Sequence, residues 1–173
     1  MKVSAILEVN GKEIKLEIPE EEIKKLIEAS EKPKKTGYER TERDDGYYYV
    51  DFDGIAEFTN DNMSPQDDNC YDIANYYSDK TVAENNARAD VLMRKLRRFA
   101  VKHREKELDW TSPNTCKYLI YYDHQNKALY TSDYQVHQTL GSIYFDTKET
   151  AEAAIEEFKD ELIWYFTEYR DSL

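Results

Sequence analysis

The chain has 173 residues, with 24 basic and 36 acidic side chains, a net charge of −12, 40% apolar content, five glycines and four prolines. That is long enough for one domain with a small appendage, and the composition is that of a globular rather than a disordered chain. No apolar run approaches the ~20 residues of a membrane span, and the acidic total disfavours broad nucleic-acid binding while permitting a basic protein partner.

Charge is segregated along the chain. Residues 1–36 hold 8 basic and 8 acidic side chains, 37–80 hold 3 and 12, 81–106 hold 8 and 3, and 107–173 hold 5 and 13. One basic helix is therefore expected inside an acidic, tyrosine-rich body.

Met1-Lys2-Val3-Ser4 runs directly into a strand pattern, so no signal peptide is expected. Val3, Ala5, Leu7 and Val9 alternate, Asn10-Gly11 is a hairpin turn signal, and Ile14, Leu16 and Ile18 alternate on the return. Pro19 and Glu20, Glu21 and Glu22 suit a helix start. Residues 1–30 thus read as a ββα unit too small to hold a core alone, which would dock or pair with a second copy as a homodimer.

Residues 31–46 are charged and carry Pro33, Gly37 and Gly46, the pattern of a linker; residues 47–173 form the main domain. Strands are expected at 47–52 and 55–59 around Asp53-Gly54, a loop at 60–70, and a helix at 81–105 with a Thr81–Glu84 capping box. Further strands are expected at 117–123, 127–131, 134–138 and 142–145. A last helix starts at Asp146 or Thr147, with a capping spacing to Glu149. No repeat or low-complexity tract stands out. The fold class is α+β: antiparallel hairpins or meander packed against two long helices, with the N-terminal ββα unit.

Two charged constellations compete for function. On helix 81–105, Arg88, Arg94, Lys95, Arg98 and Lys102 share an arc opposite the apolar one and would form a salt-sensitive anion site. They would equally serve to neutralise the body's own carboxylates. The acids Asp44, Asp45, Asp67 and Asp68, and the helical face Glu149, Glu152, Glu156 and Asp160, could occupy arginine pockets built for phosphate. Trp164 projects off the apolar arc of its helix, as an interface anchor would. The fifteen tyrosines suit base stacking or, more simply, strand packing.

Catalytic signatures are weak. His103, His124 and His137 have no zinc spacing, and neither a nucleophile elbow nor a phosphate loop occurs. No metal site, cofactor or enzymatic activity is expected. Cys70 and Cys116 read as free thiols in a reducing cytoplasm.

The stretches NNARADVLMRKLRRFA (85–100), KYLIYYD (117–123) and IYFDTKETAEAAIEEFKDELIWYFTEY (143–169), with the leader EVNGKEIKLEIPEEEIKKL, resemble small accessory proteins encoded by phages and prophages of Firmicutes. The resemblance covers most of 1–30 and 70–173 but not 38–70. It implies a host-takeover or anti-defence role in the bacterial cytoplasm, anti-CRISPR inhibition included. The expected function is a non-catalytic inhibitor whose acidic surfaces bind a basic nucleic-acid-handling protein, a Cas effector or its guide complex foremost. The alternatives are an RNA- or nucleotide-binding module built on residues 88–102 and the tyrosines, and a metal-dependent nuclease.

Overall fold

A computed structural model describes residues 2–9, 12–31, 35–134 and 136–169. It is an α+β protein of two compact units, Met1–Thr36 and Gly37–Leu173. In the first unit, β1 (Lys2–Val9) pairs antiparallel with β2 (Lys12–Pro19), followed by α1 (Glu20–Glu31). Val3 lies opposite Ile18, Ala5 opposite Leu16 and Leu7 opposite Ile14, so the two apolar alternations share one register. Three glutamates occupy the first turn of α1, where the helix dipole favours them. The expected Asn10-Gly11 turn lies outside the described residues.

In the second unit, β3 (Gly46–Val50) and β4 (Ala56–Asn60) form one antiparallel hairpin. α2 (Pro65–Asp72) stands where a loop was expected. Its start is a reciprocal capping box: Asp67 N–H donates to Ser64 Oγ, and the Asp67 carboxylate accepts from Ser64 N–H. Pro65 sits just inside the helix, so the proline that suggested a loop is a helix starter. α3 (Lys80–Lys102) follows, capped by Asp79, whose carboxylate accepts from Val82 N–H; the expected Thr81–Glu84 box is not the cap.

β5 (Lys117–Asp123) and β6 (Ala128–Tyr134) make the second hairpin. Its turn is shaped by Asp123, whose carboxylate accepts from the N–H groups of Gln125 and Asn126. The expected strands at 134–138 and 142–145 shrink to one antiparallel bridge between Phe145 and Tyr118. The final helix is broken: α4 (Lys148–Glu157), capped by Thr147, gives way at Phe158 to α5 (Lys159–Trp164) and a π-helical turn, Tyr165–Tyr169. Only α3 is the long helix that was expected.

The second unit contains a structural repeat that the sequence reading missed. Each hairpin is joined at one edge by a bridge, Tyr48 to Tyr77 and Tyr118 to Phe145, and each bridge residue leads within three residues into a capped helix. The matching stretches are Tyr76-Tyr77-Ser78-Asp79-Lys80 and Tyr144-Phe145-Asp146-Thr147-Lys148, followed in both by an inward alanine and an exposed glutamate, Ala83-Glu84 and Ala151-Glu152. Ala83 and Ala151 are fully buried, because only a small side chain fits where a helix start meets its hairpin. Between the two halves, Leu92, Leu96, Phe99 and Ala100 of α3 pack with Phe145, Ala151, Ala154, Phe158 and Leu162 as a single core.

Residues 37–46, expected as the second half of a linker, are instead bound into this unit. Ser78 N–H donates to Gly37 O at 2.8 Å, Thr41 N–H to the Tyr76 hydroxyl at 3.1 Å, and Arg40 pairs with Asp61 and Asp68. Trypsin is accordingly expected to cleave at exposed Lys35 before Arg40, which mass spectrometry of early digests would read. Leu96→Ala and Phe158→Ala each remove a core side chain and should cost about 2–5 kcal/mol, measured as a fall in urea midpoint.

Candidate interaction surfaces

The acids of the 44–68 segment do not form one surface. Asp44 and Asp45 are exposed on a turn in which Asp44 takes a positive φ of 70°. Asp67 is buried: its carboxylate accepts from Tyr47 Oη at 2.9 Å, Ser64 Oγ at 2.7 Å, and the N–H groups of Ser64 and Asn62. Both carboxylate oxygens are hydrogen-bonded inside the fold and the residue is buried, so Asp67 is removed from the partner-binding set. Asp68 is exposed but held by Arg40 Nη2 at 2.7 Å.

Sequence reasoning missed Asp61, which has 0% exposure. It accepts from Arg40 Nε at 3.1 Å, Tyr76 Oη at 2.9 Å and Met63 N–H at 2.8 Å. Burial alone would raise the Asp61 carboxyl, but those donors hold it below the usual carboxylate range. Asp67 is lowered by Ser64 above all. The Tyr76 and Tyr47 phenols are raised by burial, with hydrogen bonds to these carboxylates adding to it. Burial pushes Tyr77 up to about 12. Tyr47 and Tyr76 stack with centroids 3.9 Å apart. All three are buried packing groups, the Tyr47 and Tyr76 hydroxyls are hydrogen-bonded, and none of the three offers a face to a nucleic-acid base.

Glu149, Glu152, Glu156 and Asp160 are exposed along α4 and the start of α5, as their helical spacing predicts. Lys148 pairs with Glu152 at 3.2 Å. Beside this row runs a groove of about 470 Å³ between β6 and α4, lined by Leu129, Tyr130, Lys148, Glu152, Ile155 and Glu156. Tyr130 is exposed and faces Tyr121 across the hairpin, ring centroids 5.9 Å apart.

Trp164 does not belong to that surface. It is 7% exposed, covered by the Arg88 guanidinium 3.9 Å from its ring centre and stacked on Tyr169 at 5.6 Å. The helix breaks at Phe158, six residues before it, and the ring's cover comes from α3, so a projection of its own helix does not place this side chain. Arg88 is thereby committed to a cation–π contact, a use that periodicity alone does not reveal.

Arg94, Lys95, Arg98 and Lys102 are exposed, and among the described residues none forms an ion pair. Lys95, Arg98, Lys102 and His103 form one wall of a groove of about 680 Å³, and Glu157 and Glu161 lie on the other. The groove is thus of mixed sign: an anion entering it meets two carboxylates as well as the cations. A third groove, of about 320 Å³, is apolar and lies between α3, β5 and the π turn, lined by Met93, Ile120, Tyr165 and Phe166 among others.

Two further buried charges escaped the sequence reading. Lys117, fully buried on β5, donates from Nζ to Thr115 O at 2.7 Å and lies 5.1 Å from the Trp110 ring centre. Asp146 accepts through Oδ2 from the N–H groups of Glu105 and Lys106, fastening the chain that leaves α3. The signal for Asp146 was present as a cap-adjacent acid, but its long-range partners were not. Cys70 and Cys116 are both free. Among the described residues no group of three histidine, cysteine or acidic side chains is placed to hold a metal ion, and no helix is long and apolar enough to cross a membrane. The chain matches none of the known protein families, curated proteins or solved structures with which it was compared.

Two outcomes are expected from this geometry. Asp61 has a lowered folded-state pKa, so its contribution is present above the unfolded value of ~3.9 and lost as pH falls through the folded value. The stability advantage of wild type over Asp61→Asn, measured by urea unfolding, should therefore be constant from pH 7 to 5 and shrink below about pH 4. Trp164→Ala should act on stability, at about 3–5 kcal/mol, as a large-to-small change at a buried aromatic.

Proposed function

We propose that this protein is a non-catalytic inhibitor that binds a bacterial nucleic-acid-handling defence protein and occupies its nucleic-acid cleft with the acidic face of α4 and α5. The observation that carries this reading is the exposed row Glu149, Glu152, Glu156 and Asp160, with Lys148 as its ion-pair partner at Glu152. Carboxylates about 5–6 Å apart along a helix match arginine and lysine sites that otherwise take phosphates. Tyr130, in the adjoining groove, replaces Trp164 as the aromatic anchor beside the acids. The resemblance to phage accessory proteins makes a Cas effector the leading candidate for the partner.

A second reading rests on a different observation. The exposed cations Lys95, Arg98 and Lys102 flank a groove large enough for a nucleotide, which would make the protein an RNA- or nucleotide-binding module. The carboxylates Glu157 and Glu161 in the same groove weigh against it.

The two readings separate in one set of variants. A guide-loaded Cas effector and a single-stranded RNA oligonucleotide are titrated against wild type, a Glu152→Lys/Glu156→Lys/Asp160→Lys variant and an Arg94→Glu/Arg98→Glu variant, with circular dichroism as folding control. Acidic mimicry predicts effector binding whose association slows as salt rises from about 50 to 300 mM. It also predicts a further loss of roughly tenfold or more in association rate for the triple lysine variant. Undiminished inhibition by that variant removes this face as the mimic. RNA binding lost only in the arginine variant selects the second reading.

A further inference from the structure

We infer that the outer edge of β4 is a docking site for an extended, lysine- and arginine-bearing segment of a partner protein, which joins the β3–β4 hairpin as a third strand. This surface is separate from the acidic face of α4.

The first support is the hydrogen-bond phase of the hairpin. Asp51 N–H donates to Ile55 O, and Asp61 N–H to Asp45 O. Pairs two residues further in, Tyr47 with Thr59 and Tyr49 with Glu57, therefore bond across the hairpin. The alternate residues point away from it. On β3 these are Tyr48, which exchanges both bonds with Tyr77, and Val50, whose N–H and C=O are both met by the Asn75 side-chain amide at 2.8 Å. Their cross-strand partners, Phe58 and Ala56, turn the same groups outward from β4. Among the described residues nothing pairs them: the sheet has two strands, and β4 is its open side.

The second support is what borders that edge. Phe52 is 91% exposed, Ile55 57% and Phe58 58%. Phe58 lies over Gly46, where a Cβ would come within 2.0 Å of the ring, and meets Tyr48 edge-on at 5.3 Å. The glycine thus keeps the large ring flat on the hairpin beside the open edge. An open edge with exposed aromatics is normally blunted by lysine, proline or a covering element. Ala56-Glu57-Phe58-Thr59-Asn60 carries neither lysine nor proline. Main-chain pairing to such an edge supplies affinity, and the alternate side chains of the added strand reach the apolar border.

Charge selects the occupant. Asp51, Asp53 and Glu57 belong to the hairpin, and the 37–80 segment around it has 3 basic and 12 acidic side chains. Arg94 of α3 reaches the turn at Gly54 and is the cation nearest its tip. A second copy of this chain would bring the same acidic hairpin against itself and be repelled. A strand bearing alternate basic and apolar residues meets both the field and the aromatic border.

The test uses the full-length protein and three fluorescent octapeptides: alternating Lys-Val, alternating Glu-Val, and a Lys-Val peptide with prolines at alternate positions. The Lys-Val peptide is expected to bind at least tenfold more tightly than either control by fluorescence anisotropy, and to slow amide exchange at Ala56 and Phe58. Ala56→Pro deletes an outward N–H without removing a bond to β3, and should weaken binding at least tenfold with circular dichroism unchanged. Phe58→Thr, which keeps a strand-forming residue, should also weaken it. The Glu152→Lys/Glu156→Lys/Asp160→Lys variant should bind as wild type does. The inference is overturned if no Lys-Val binding is detected up to about 1 mM, or if the Glu-Val peptide binds equally. Protection confined to other segments overturns it as well, as does loss of binding in the triple lysine variant. Sedimentation equilibrium showing a dimer that Ala56→Pro dissociates would assign the edge to a second copy and overturn the partner.

Discussion

Two antiparallel bridges hold the second unit together, and the rest of its packing depends on them. A two-stranded hairpin is only marginally stable in water. Here each hairpin acquires a third line of backbone hydrogen bonds from the residue that leads into its helix, Tyr77 in one case and Phe145 in the other. The bridge fixes where the helix begins relative to the hairpin, and a buried alanine one turn later lets the two approach. Once both helices are positioned, their apolar faces meet and the common core of Leu92, Leu96, Phe99, Phe145, Phe158 and Leu162 closes. Asn75 extends the first bridge by presenting a side-chain amide as though it were a strand backbone.

The polar interior follows the same logic. A segment with so many acids must either expose them or surround them with donors. Asp61 and Asp67 are surrounded: tyrosine hydroxyls, a serine, backbone N–H groups and Arg40 meet their oxygens. This network draws 37–46 onto the body and turns a charged stretch into part of the fold. Removing a donor would leave a buried carboxylate with fewer partners and raise the cost of keeping it charged, so the cluster stabilises the first half only as a whole.

What remains outside is a division of surfaces. The acidic row of α4 stands on one flank beside Tyr130, and the cations of α3 share a groove with Glu157 and Glu161. The first hairpin presents an aromatic border and an open edge within an acidic field. The first and third of these are the surfaces on which the proposed basic partners would dock. The mixed groove is where the basic-helix alternative has least electrostatic advantage, because its own carboxylates already occupy part of the field.

The α+β class, the Asp123 turn, strand 117–123, the extent of α3 to within a few residues and the exposure of Glu149, Glu152, Glu156 and Asp160 were all legible in the sequence, because each follows from local periodicity or turn chemistry. α2 was legible in principle, since Ser64-Pro65 and Asp67 spell a capped helix start, but its polar composition masked it. Tertiary structure alone decided the burial of Trp164 under Arg88, the commitment of Asp61 and Asp67 to the interior, and the capture of 37–46. It also decided the repeat of hairpin, bridge and helix. Those features join residues far apart in the chain, and no local pattern encodes which distant donor will meet a buried carboxylate. Trp164 adds a second reason: its helix breaks at Phe158, and its cover is Arg88 from α3, a side chain that no projection of its own helix includes.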